Sequence, residues 1–264
     1  MNEFVRPPAV AGLFYPEDPD VLRGQIRRYL DPKKQRQGPP PKALIAPHAG
    51  LPFSGDVAGT AYAQLGEHSQ RIKRVILLGP SHRVPFRGIA ASHARYFDMP
   101  MGTVSVDLQA LRNLEDLPGF QYLESAHEME HGLEVHLPFL QELLGDFQIV
   151  PLVVGDASAE MVGDVLERLW GGDETLIAIS SDLSHFMDYD SACKRDRATS
   201  EAIQRLDYEN VRPGDACGRH PINGLLWVAR RRGLKANTLQ LCNSGDTAGT
   251  RDQVVGYGAY VFTE

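Results

Sequence analysis

Three short aliphatic runs constrain this chain more than any other feature. "ALIA" at 43–46, "RVILL" at 74–78 and "TLIAIS" at 175–180 are continuously apolar between their ends, without the alternation of a half-solvated strand. Runs of that kind fit strands of a mostly parallel sheet that is covered on both faces. The same patterning predicts strands at 88–91, 148–154, 236–242 and 255–262. It predicts helices at 19–30, 55–65, 106–113, 133–144, 159–170, 190–205 and 224–232. Strands that alternate with helices across short loops imply βαβ units. The expected fold class is therefore α/β, a three-layer sandwich with a largely parallel central sheet, built as one domain over residues 1–264.

Each of the three runs is followed closely by a histidine: His48 in "APHAG", His82 in "GPSHR" and His185 in "SDLSH". Open α/β sheets bind their ligands beyond the carboxyl ends of their strands. If the three strands are neighbours, these imidazoles meet in one crevice, as a metal site or an acid/base site.

Composition narrows the class. The 264 residues are 42% hydrophobic and 23% charged, enough for a sizeable core. A formal net charge of -7 argues against broad nucleic-acid or anionic-membrane binding, which relies on clustered Lys and Arg. No apolar stretch approaches the roughly 20 residues of a membrane span, and "MNEFVRPPAVAGLF" lacks the apolar core of a signal peptide. Three cysteines without CxxC spacing suggest neither a disulfide framework nor a zinc knuckle. A cytoplasmic location is expected.

Two local motifs are set aside. "HEMEH" at 127–131 fits H-E-x-x-H, but Gly132 follows at once and helical periodicity begins only at Leu133, so a zincin helix is not expected. Ser180 and Ser181 lie beside His185 without a G-x-S-x-G elbow, which disfavours a serine hydrolase. Glu130 and Glu134 are four residues apart; they suit either a hydrogen bond to a metal-bound imidazole or a solvated helix start. Cys217, before "GRHP", suits either the start of a helix whose dipole lowers its thiol pKa or, the favoured reading, a buried structural role.

Longer blocks carry a resemblance. "RPPAVAGLFYPEDPDVL", "APHAG" with "FSG" behind it, "LLGPSHR", "EHGLEVHLPFL", "SSDLSHF", "CGRHPINGLL" and "NSGDTAGTRDQVVGYGAY" occur in order along nearly the whole chain. In these blocks the chain resembles the Memo proteins, whose prokaryotic members are called AmmeMemoRadiSam system protein B. Gly132 and His136 stand where that family's usual string has serine and glutamine. The resemblance implies a fold like that of the class III extradiol (LigB-like) dioxygenases, which hold non-haem iron with two histidines and a carboxylate. Carried over, His48 and His82 look like metal-binding residues, and His185 looks like the acid/base histidine. Asp182 and His131 join the same pocket as catalytic candidates. For the third ligand the resemblance leaves a choice. Asp246 in "NSGD" is the available carboxylate, whereas eukaryotic Memo proteins offer a cysteine that aligns nearer Thr247 than Cys242. His48, His82 and Asp246 would suit Fe(II), with copper or zinc as alternatives.

Two functions follow as expectations. One is a metal-dependent redox enzyme related to extradiol dioxygenases. The other is a non-catalytic adaptor that takes a small molecule or peptide in the His-rich pocket, since the eukaryotic relatives are linked to receptor-driven motility. The prokaryotic family name implies radical SAM and AMMECR-type proteins as partners.

Overall fold

The computed structural model describes residues 4–36 and 38–264. Its strands, in chain order, are β1 (Val5–Arg6), β2 (Ala43–Ala46), β3 (Arg74–Pro80), β4 (Ile89–Ala91), β5 (Tyr96–Phe97) and β6 (Val104–Val106). Then come β7 (Phe120–Tyr122), β8 (Gln148–Val154), β9 (Thr175–Ser180), β10 (His185–Met187), β11 (Lys235–Asn243) and β12 (Val254–Thr263). The helices are α1 (Pro19–Tyr29), α2 (Leu51–Ala63), α3 (Leu108–Arg112), α4 (Glu124–Glu128), α5 (Leu137–Leu143), α6 (Ala159–Leu169), α7 (Tyr189–Gln204) and α8 (Arg219–Arg232).

The strands join one sheet in the order β1-β5-β6-β8-β3-β9-β2-β12-β10, with β11 on β12 and β4 and β7 beyond β8. Its centre is parallel: β6 pairs with β8, β8 with β3, β3 with β9, and β9 with β2. β12 closes it antiparallel to β2, with Ile45 opposite Tyr260. The aliphatic runs of β2, β3 and β9 therefore lie side by side, with Leu44, Ile76 and Ile177 wholly buried. One helix group, α1, α2 and α5, packs together against the sheet, and α6 pairs with α8 in another. The result is an α/β three-layer sandwich with a mostly parallel central sheet. Among the described residues, no helix is long and apolar enough to cross a membrane.

Local chemistry fixes the helix ends. Asp18 caps α1 by accepting from the amides of Asp20 and Val21, and Ser158 caps α6 through the amide of Met161. α8 stops at Gly233, whose φ of 71° is the left-handed conformation that a helix C-terminus favours. α6 and α8 pack closely at two glycines: a Cβ at Gly163 would strike the Trp227 ring, and one at Gly224 would strike Val162.

Three of the expected helices differ most, and the short helix α4 was not expected. α2 begins at Leu51 rather than 55, because Pro52 occupies its first turn, where a missing N–H costs nothing. α8 begins at Arg219 rather than 224, again with a proline, Pro221, in the first turn. The helix expected over 133–144 is split into a 3-10 turn, Glu134–His136, and the α-helix Leu137–Leu143. The short strands β1, β5, β6, β7 and β10 were not expected. Two or three residues carry too little periodicity to announce a strand.

Candidate metal centre

β2, β3 and β9 end side by side, so the loops that leave them share one crevice. His48 lies two residues past β2 and His82 two past β3. His131 reaches the same point from the loop after α4, and the ligand atoms of these three histidines all lie within 4.8 Å of one another. Ring centroids are 5.0 Å apart for His48 and His82 and 5.4 Å for His48 and His131. His82 and His131 stack at 4.5 Å.

Neighbouring groups decide which nitrogen of each ring is free. Ser180, the last residue of β9, donates its hydroxyl proton to the carbonyl of Gly132 at 2.5 Å. The same oxygen lies 2.6 Å from His48 Nδ1, so that nitrogen must be the donor and Nε2 carries the lone pair. Glu130 does the equivalent for His82: its Oε1 accepts from Nδ1 at 2.7 Å, which frees Nε2. A carboxylate behind a histidine in this way fixes the tautomer and ring orientation and raises the ligand's basicity.

The carboxylates also hold backbone. Glu130 accepts from the amides of His82 and Gly132, each at 2.8 Å, and Asp182 Oδ1 accepts from the amide of His48 at 2.8 Å. Behind them, Glu134 is wholly buried and accepts from Arg6, Tyr15 and the amides of Ala9 and Val10. Arg6 in turn donates to the carbonyls of His127 and Glu130, fixing the turn that presents His131. The N-terminal segment is thereby clamped under the site, with the Phe14 ring against His131 at 4.9 Å.

Burial and neighbouring groups shift the acids and bases of the crevice. It holds His48 well below the ordinary imidazole range, reinforced by the surrounding histidines. It lowers His131 to about 4, with His82 adding to the effect. Burial alone would raise Glu130, but the bonds from His82 and Gly132 outweigh it, and the carboxyl ends below its usual range. Asp182 is raised by burial, against the opposing bond from His48. The crevice thus presents imidazoles backed by a carboxylate whose partners favour its ionised form.

The other candidates lie as follows. His185 opens β10; its Nδ1 donates to the carbonyl of Leu183 at 2.8 Å, which leaves Nε2 as a base. It is near enough for its charge to bear on both His48 and Asp182. Asp246, expected as the third ligand, is not in the group of His48, His82 and His131 that could hold an ion. Both Asp246 oxygens are engaged at the turn after β11: Oδ1 accepts from Tyr189 at 2.7 Å, and Oδ2 from the amide of Asn243 at 3.1 Å. Thr247 donates within the same turn, and Cys242 sits in β11 opposite Tyr257. The H-E-x-x-H string forms no zincin helix: α4 ends at Glu128, and His127 is buried with Nε2 on the carbonyl of Ala90 at 2.9 Å. Nothing local marks Ser180 and Cys217 as neighbours of His48, because those contacts span 132 and 169 residues.

A three-layer α/β protein with three convergent imidazoles at the strand ends is, by architecture and donor set, a candidate metalloprotein. Comparison with known proteins supplies the family. The model of the Memo-like protein family matches residues 6–261, and the chain belongs to that family. A MEMO1 family protein of Sulfolobus acidocaldarius is 35% identical over 96% of this chain and 97% of its own length. One from Saccharolobus solfataricus is 35% identical over 97% of this chain and 99% of its own.

Proposed function

We propose that this protein is a metal-dependent redox enzyme whose ion is held by His48, His82 and His131. The convergence of three imidazoles, one of them braced by Glu130, carries the reading. The donor set passes a test of fit: the His48 and His82 tautomers leave Nε2 unprotonated, the form that binds a metal. Imidazole donors suit iron, copper, zinc and nickel, and iron or copper would make the centre redox-active. A bound ion of that kind supplies Lewis acidity and electron transfer.

The chain's own residues supply the rest. Glu130 orients His82 and keeps its Nδ1 proton in place. Asp182 positions His48 through its amide, and Ser180 locks that ring. His185 Nε2, free because Nδ1 is spent on Leu183, takes and returns a proton at the reacting centre.

The test is elemental analysis of anaerobically purified protein, followed by oxygen uptake with candidate substrates. Near-stoichiometric iron or copper is expected, lost in His48→Ala, His82→Ala and His131→Ala variants that stay folded. Metal content unaffected by all three substitutions would refute the assignment.

A further inference from the structure

Phe186 is held in a conformation that the fold itself does not reward. It follows His185 in β10, and its φ of 57° lies in the left-handed region, which a bulky side chain enters only under strain. Its side chain is nevertheless 70% exposed, so no packing offsets that strain. Leu206, the other non-glycine residue with a positive φ among the described residues, differs: it follows the last turn of α7 and packs against the core. The strain at Phe186 comes from a bulge. His185 stands opposite Val255 and Met187 opposite Val254, which leaves Phe186 as the extra residue of β10. Glycine suits a left-handed bulge position, and bulges beside sites re-aim side chains. Here the bulge sets the Phe186 ring edge-on to the His185 imidazole, with centroids 5.7 Å apart and planes at 67°.

Other apolar side chains stand beside the histidines of the same centre. Phe14, whose ring meets His131, is next to the exposed Leu13. Met129, exposed as well, comes two residues before His131, and the exposed Phe53 lies in the first turn of α2, just beyond His48. Singly such residues need no explanation; gathered about one centre they mark a surface that binds. An exposed aromatic kept in a strained backbone beside the proton-transfer histidine belongs to that surface. We propose that Phe186 is a specificity-determining residue of the centre. The substrate class is then a small molecule with a hydrocarbon body, which lies against this ring while its polar end turns toward the imidazoles.

This inference rests on the metal-centre reading above, and the following experiment separates the two. Full-length protein loaded with Zn(II) is titrated calorimetrically with acetohydroxamate and octanohydroxamate, which share a metal-binding head and differ in chain length. Wild type should bind the longer compound about tenfold more tightly or better, since each buried methylene group is worth roughly fourfold. Phe186→Gly and Phe186→Asn, residues that accept left-handed backbone, should lose most of that preference and still bind acetohydroxamate. In urea, without metal, both variants should unfold no earlier than wild type, because the strain leaves with the ring. Equal affinity for the two compounds in wild type, or a preference unchanged in both variants, would overturn the role of Phe186 and leave the centre standing. Earlier unfolding of both variants would show that the ring supports the fold, and would overturn it as well. Failure of acetohydroxamate to bind at all would overturn the metal centre and the substrate class with it.

Discussion

Replacing Glu130 by glutamine asks whether the carboxylate, rather than the imidazoles alone, sets the strength of the centre. Glu130 is 2% exposed and satisfies three donors: Oε1 takes His82 Nδ1 at 2.7 Å and the amide of Gly132 at 2.8 Å, and Oε2 takes the amide of His82 at 2.8 Å. Glutamine has one oxygen for these three. With that oxygen facing the ring, the new NH₂ group opposes the His82 amide, donor against donor. With the amide turned over, nitrogen faces Nδ1, and the ring must move its proton to Nε2, which removes the lone pair a metal needs. Either way the site loses an outer partner of the kind worth about 10- to 100-fold in metal affinity, or about 1.4–2.7 kcal/mol. Competition for Zn(II) against a chromophoric chelator reads the dissociation constant, and circular dichroism reads the fold. A folded variant whose affinity stays within about twofold of wild type would refute the idea that Glu130 tunes His82.

Glu134→Ala should destabilise the protein by about 3–5 kcal/mol in urea unfolding, because it leaves the buried Arg6 guanidinium unpaired; an unchanged midpoint would show that the N-terminal clamp contributes nothing. Stability should also fall as pH drops from 6.5 toward 4. His127 and His131 are held to about 4 and His136 to about 3, in each case chiefly by burial, so the unfolded chain binds protons over that interval that the native state refuses. Each such group steepens the decline by up to about 1.4 kcal/mol per pH unit. His136→Gln should flatten it, and an identical slope in that variant would contradict the assignment.

The central sheet was legible because continuously aliphatic segments such as those of β2, β3 and β9 have few other stable placements. β2, β8 and β9 run over the same residues as the sequence predicts. The positions of His48 and His82 were legible for the same reason, since both follow a strand end. The third donor was harder to read. A carboxylate in a polar turn looks available, and nothing local in "NSGD" shows that Asp246 is committed to its own turn and to Tyr189. His131 was visible as a pocket residue, but its approach to His48 depends on Arg6 holding the backbone carbonyls of His127 and Glu130 from 121 and 124 residues away. Ser180 and Cys217 lay beyond reach because neither residue type advertises its partner, and contact with His48 arises only when the sheet is assembled.

The acidic groups around the crevice grip main-chain amides as well as rings: Asp182 holds that of His48, and Glu130 holds those of His82 and Gly132. The scaffold therefore arrives at the capture geometry before any cation does. Loading should demand little rearrangement and spend little disorder, so that selectivity falls to donor chemistry. A chelator should strip such a vessel without collapsing it, unlike a zinc finger, whose architecture is its ion.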